Sequence, residues 1–161
     1  MAATVKQADA EALRRNEQKW GKPLIAAGWN AFPSTIIEKQ QALGLDPVDM
    51  NIILHLTNYW WTAEKLPFPS VETIANAIGL KPRAVQKRIK ALHELGLLTR
   101  TERRKTRHGS DTNLYSFEGL IKAVQPFAEE KLAKRERQAH EEKERLARKK
   151  PRLTLLKTEE G

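Results

Sequence analysis

The chain of 161 residues contains no cysteine. That excludes disulfides, thiolate metal sites and cysteine nucleophiles, and it fits a reducing compartment. Histidine is sparse, and His55, His93, His108 and His140 are scattered. None has the partner four residues away that a helical zinc site needs, so no metal is expected. Long apolar runs are also missing. The longest candidates, such as IILHL, are far too short to span a bilayer. The first eighteen residues, MAATVKQADAEALRRNEQ, take on charge at once and lack the apolar stretch of a secretory signal. A soluble protein of the cytoplasm is the expectation. No G-x-S-x-G elbow and no G-x-x-x-x-G-K-[ST] loop occurs. Asp46/Asp49 and Glu129/Glu130 read as helix caps and solvated charge, not as catalytic pairs. The sequence therefore offers no residue set for an enzyme, no cofactor site and no indicated small-molecule ligand.

What the chain does have is positive charge, and it is concentrated. The net charge is +9. Residues 1–80 carry seven Lys/Arg and eight Asp/Glu, whereas residues 81–108 carry ten Lys/Arg and two Glu, a balance of +8. A surplus focused in one window points to a polyanionic partner.

The apolar pattern around that window is helical. Residues 5–20 read as a frayed helix or arm, followed by breaks at Gly21, Pro23 and Gly28. Thr35 and Glu38 fit a capping box, with Phe32 as a staple, for a helix from Ile36 to Leu43 that stops at Gly44. Asp46-Pro47-Val48-Asp49 is a second helix start, and Val48, Ile52, Leu56 and Tyr59 recur at helical spacing behind it. Pro67 and Pro69 enforce an extended passage. Ser70 then caps a short helix, Val71 to Ile78. Gly79 supplies a left-handed turn, and Leu80 is expected to plug it from inside. Lys81 precedes Pro82 at the first position of the next helix, which runs to Leu95 and buries Val85, Ile89, Leu92 and Leu95 before Gly96.

Leu97–Thr101 and TNLYSF read as two strands, with ERRKTRHGSD as a polar turn between them. A helix resumes at Glu118, and Pro126 is expected to kink or restart it. From Glu129 to Lys150 the pattern is nearly all charge. Leu132, Ala139 and Leu146 recur at seven without a second apolar heptad position. A solvated helix or a disordered tail is expected there, not a strong coiled coil. The resulting division is an N-terminal, partly helical arm (1–34), a central domain (35–125) and a charged C-terminal extension (126–161).

The helix from Pro82 has two faces. With Val85 at zero and steps of about 100°, Ile89 and Leu92 fall within about 40° of it. Gln86, Lys90, Arg83 and Lys87 fall between about 100° and 200°. Such a face, held by a short helix and a tight turn, suits a major groove. Arg83 can fork onto guanine and Gln86 can pair with adenine, while Lys87 and Lys90 read bases or neutralise phosphates. The bland alternative is an amphipathic helix with a solvated basic side. The basic loop that follows, with Arg100, Arg103, Arg104, Lys105, Arg107 and His108, weighs against it, because Arg in a flexible loop can track a backbone or enter a narrow minor groove. Ser70, Lys81 and Arg88 complete the expected DNA-contact set.

The segment FPSVETIANAIGLKPRAVQKRIKALHELGLLTR, the basic loop behind it and TNLYSFEGL resemble the winged helix-turn-helix domain of bacterial, phage and plasmid DNA-binding proteins. The resemblance covers roughly residues 45–125. It implies a mainly α fold with a small β-hairpin wing, a recognition helix over 82–95, a wing over 97–117 and double-stranded DNA as partner. Transcriptional regulators, repressors among them, and plasmid or phage replication initiators share the fold. Sequence-specific DNA binding in transcription regulation is the leading expectation. A replication protein, or an interaction module whose winged helix is structural, is the alternative. A homodimer on two half-sites stays open. Trp60–Trp61 could stack unpaired bases, but adjacent helical residues diverge by about 100°, which favours a core-covering role. Trp20 and Trp29 fit either a dimer interface or docking on the chain's own domain.

Overall fold

The computed structural model describes residues 2–106 and 109–148. Its elements in chain order are α1 (Ala2–Trp20), α2 (Lys22–Ala27), α3 (Ser34–Glu38), α4 (Pro47–Asn58), α5 (Val71–Ile78), α6 (Pro82–Glu94), β1 (Thr99–Thr106), β2 (Gly109–Ser116) and α7 (Glu118–Arg148). The architecture is mainly helical, with one antiparallel two-stranded hairpin directly behind a helix pair. That is the winged-helix arrangement the sequence implied.

Helix starts follow local chemistry. Asp46 caps α4 by accepting from the backbone N–H groups of Val48 and Asp49, both at 2.8 Å, and Asp49 returns a bond to the Asp46 N–H at 3.1 Å. This reciprocal box satisfies donors that the first helical turn leaves orphaned. Ser70 Oγ accepts from the Thr73 N–H at 3.0 Å and so caps α5. Gly79 turns the chain at φ 71°, in the left-handed region where a side chain would be strained. The Leu80 N–H then closes onto the Ala75 carbonyl at 3.0 Å.

One core joins these elements. Ile52, Ile53 and Leu56 of α4 meet Ile74 and Ala75 of α5 and Val85, Ile89 and Leu92 of α6. Leu98, Tyr115, Phe117 and Leu120 close it from the hairpin and from α7. Each fully buried apolar side chain of this size contributes about 1.5–3 kcal/mol. Burial also pushes the Tyr115 phenol above its usual pKa, against a hydrogen bond from Asn113 and the charge of Arg100 that work the other way.

Several expectations are corrected. Helix α3 opens at Ser34 with Pro33 in the cap position and no side-chain cap, and only turns follow it to Gly44. Thr35 and Glu38 do not form a box, because Glu38 is drawn away to Lys131 of α7, whose Nζ donates to both carboxylate oxygens at 2.6 Å. Leu80 and Leu95 are not core residues: they are 36% and 61% exposed. Leu95 is the C-cap of α6, turned off its apolar stripe. The strands are longer than expected. Glu102 to Thr106 and Gly109 to Asp111 belong to the hairpin, with register shifts between Thr101 and Arg103 and between Arg104 and Thr106. Such bulges bend and twist a two-stranded ribbon. Finally, α7 runs unbroken through Pro126, which lacks the N–H that would otherwise meet the Lys122 carbonyl.

Candidate nucleic-acid interface

Helix α6 carries the two faces read from its sequence. Val85, Ile89 and Leu92 are sealed in the core. Arg83, Gln86 and Lys87 are exposed on the far side, and Lys90, also exposed, lies 3.7 Å from Glu94 one turn on. Lys81 is exposed at the helix start and makes no side-chain cap. The leading N–H groups of α6 are thus uncapped by a side chain and can meet an anion, toward which the helix dipole points its positive end.

Three of the expected contact residues, Arg88, Ser70 and Arg103, have partners within the chain. The Arg88 guanidinium pairs with the Asp46 carboxylate, and its other nitrogen lies 3.6 Å from Asp49 Oδ1. Arg88 therefore faces the start of α4 and not the exposed side of its own helix. Burial would raise the Asp46 pKa, but the Asp49 N–H, Arg88 and the Val48 N–H outweigh it and hold the carboxyl below the usual range. Burial dominates at Asp49 and, with the neighbouring Asp46 charge, pushes that carboxyl up. Ser70 spends its hydroxyl on the cap of α5 and on Thr73 Oγ1 at 2.8 Å.

The hairpin begins immediately behind α6. Arg100 is exposed near the base of β1, and its N–H reaches His93 Nδ1 at 3.4 Å. Arg103 is half-buried. Its guanidinium lies over the Phe68 ring, 4.4 Å from the centroid, while Nε donates to the Thr112 carbonyl and Nη2 to Thr112 Oγ1, both at 3.0 Å. The Tyr115 N–H donates to the Pro67 carbonyl at 3.0 Å. The extended passage 66–69 is thus tied to the hairpin by one backbone bond and one cation–π contact, which fixes how the hairpin leaves the body. Arg104 continues β1 opposite Ser110, and Lys105 follows in the same strand. Arg107 and His108 lie outside the described residues.

Phe68 and Thr112 did not stand out in the sequence as partners of Arg103. The prolines around Phe68 predicted extended backbone, but a contact across more than thirty residues leaves no periodic trace. Among the described residues, no group of His, Asp and Glu could hold a metal ion, and no helix is long and apolar enough to cross a membrane.

No curated protein matches the chain. Among solved structures it is similar to one titled a possible transcriptional regulator from Methanosarcina mazei Go1, at 21% identity and TM-score 0.41, over 64% of this chain and 82% of that one. It is also similar to the YusO protein of Bacillus subtilis, at 18% identity and TM-score 0.39, over 92% of this chain and 96% of that one. Residues 43–98, which run from the end of the α3 turns to the first residues after α6, match the family described as a helix-turn-helix domain. This chain carries a helix-turn-helix domain, and the hairpin behind it makes that domain a winged one.

Proposed function

We propose that the chain binds double-stranded DNA in a sequence-specific way and acts in transcription regulation. One observation carries the reading: Arg83, Gln86, Lys87 and Lys90 share the exposed face of α6 while the opposite face is sealed in the core. A major groove admits a helix, and these side-chain types match its donor and acceptor pattern. In this reading Arg83 and Gln86 read base edges, and Lys81, Lys87 and Lys90 neutralise phosphates. Arg100 and the basic residues farther along the hairpin add backbone contacts. The net charge supplies most of the affinity, which then falls steeply with salt.

The test is selection of bound sites from random duplexes, followed by affinity measurements across a salt series. Arg83→Ala should relax preference at one or two base pairs, at a cost of about 1–3 kcal/mol. An unchanged preferred site with unchanged affinity would remove α6 from base reading. Failure to shift any duplex at low salt would favour an acidic protein as the partner of the basic face.

A further inference from the structure

All four tryptophans of this chain line two adjoining recesses to which neither α6 nor the hairpin contributes a residue. Trp20 and Trp29 line a recess of about 470 Å³ between the end of α1 and α2. Trp29, Trp60 and Trp61 line a second, of about 350 Å³, at the end of α4. The recesses share Trp29 and Asn30, so they form one groove. Asn30 Nδ2 donates to Thr57 Oγ1 at 2.8 Å, which ties the segment after α2 to α4 and holds the two halves together. Trp60 is anchored by stacking on Phe117, with ring centroids 5.4 Å apart. The other three indoles remain open to solvent: Trp20 is 58% exposed, Trp29 45% and Trp61 74%.

An exposed tryptophan is costly in water, and three lining adjoining recesses suit a ligand with flat faces. The polar lining narrows its chemistry. Asn16, Asn30 and Asn58 contribute amides, each a donor and an acceptor, and no charged residue lines either recess. Branched aliphatic side chains, which an amphipathic helix would seek, are supplied only by Leu24 and Ile25. Positive charge lies close to one end: Lys19 and Lys22 flank Trp20 in the chain, and Lys19 Nζ lies 5.2 Å from the Trp20 ring centroid. Flat rings with hydrogen-bonding edges, repeated along a negatively charged backbone, are the bases of an unpaired nucleic-acid strand.

We propose that this groove binds single-stranded nucleic acid, with successive bases on Trp20, Trp29 and Trp61 and the backbone beside Lys19 and Lys22. Stacking tolerates any base, so the groove has little sequence preference. The site is separate from α6, and it stands or falls independently of duplex reading there.

Because all four tryptophans line the two recesses and none lies on α6, intrinsic fluorescence of the full chain reports directly on the groove. The experiment titrates the protein with an unstructured oligothymidine of about 12 nucleotides. Quenching is expected, with affinity that falls as salt rises. Trp29→Ala combined with Trp61→Ala should weaken oligothymidine binding by about tenfold or more, with duplex binding in a mobility shift unchanged. Trp61→Ala alone, at the most exposed indole, guards against misfolding of the pair and should weaken binding in the same direction, whereas Trp61→Phe should largely retain it. Arg83→Ala should leave oligothymidine binding untouched. Absence of quenching at low salt overturns the proposal. So does equal weakening of duplex and single strand by the tryptophan variants, or a thymidine mononucleotide that binds as tightly as the oligomer. Emission that shifts with protein concentration alone, alongside dimer formation in sedimentation, would assign the groove to a second copy instead.

Discussion

Arg88, on the inner flank of α6, holds the carboxylate of Asp46, the residue that caps α4. The reading helix is therefore fastened to the helix behind it through that helix's own capping box. Arg88→Met would strip the cation from two carboxylates, one of them buried. Half-exposure of the guanidinium limits the loss, and stability should fall by about 1–2 kcal/mol in urea unfolding. The spectrum of selected DNA sites should also broaden, because α6 loses its fixed attitude. Arg88→Lys, which keeps the charge but not the fork, should restore only part of both. If the unfolding midpoint did not move while affinity for every duplex fell, Arg88 would be a phosphate contact.

The same pair gives stability an acid limb. The folded-state pKa of Asp46 lies below its ordinary value. Its contribution is then full above the unfolded value of about 3.9 and is lost as pH falls through the lower folded value. Asp49 has the opposite sign: its raised pKa means that charging it costs stability, a cost relieved as pH drops through that raised value. Asn caps a helix nearly as well as Asp, so Asp46→Asn isolates the charge. The wild-type advantage over this variant should be constant near neutrality and shrink only below about pH 4, as read by unfolding at stepped pH.

Gly119, at the start of α7, lies against the turn that ends α6. A Cβ built there would stand 1.8 Å from the Gly96 carbonyl oxygen. The obstacle is backbone, so no side chain can step aside, and the contact also carries the Leu120 N–H to the Leu97 carbonyl at 2.9 Å. Gly119→Ala should cost about 3 kcal/mol, visible as a lowered melting temperature. An unaltered melting temperature would mean that α7 docks differently.

Phe68 is more than half exposed, yet the Arg103 guanidinium rests on its ring. Phe68→Ala should cost no more than about 1 kcal/mol of stability. Its larger effect should be on duplex binding, weakened alike for all sequences, because the hairpin loses its brace on the 66–69 passage. A change in preferred bases without a general loss would contradict that role.

Much of this was legible in the sequence, and the reason is local. Asp46-Pro47, Ser70, Gly79 and Pro82 act within one turn of themselves, so residue type and spacing suffice to place α4, α5 and α6. The basic exposed face of α6 follows from its period in the same way. The errors arose where the decisive partner is far along the chain. Glu38 meets Lys131 across 93 residues, which no capping pattern announces. The charge of Arg88 suggests a DNA contact, whereas its angle of about 300° from Val85 puts it beside the apolar stripe, where Asp46 and Asp49 meet it. Leu95 was counted as core for its type, although its angle of about 280° carries it off that stripe. The full length of the hairpin leaves no trace in the sequence because Glu102 to Thr106 is polar throughout and shows no apolar alternation.

The helix that follows the hairpin has a mechanical consequence. Its ion pair to the body is Lys131 with Glu38, and every residue from Leu132 to Arg148 is exposed. Those seventeen residues form a cantilever of about 26 Å. A tilt of about 10° at the Glu38 anchor displaces its tip by about 4–5 Å, more than the rise of one base pair. The direction of that lever is set where α7 leaves the body, by the Glu38–Lys131 pair and by Lys39 over the Phe127 ring.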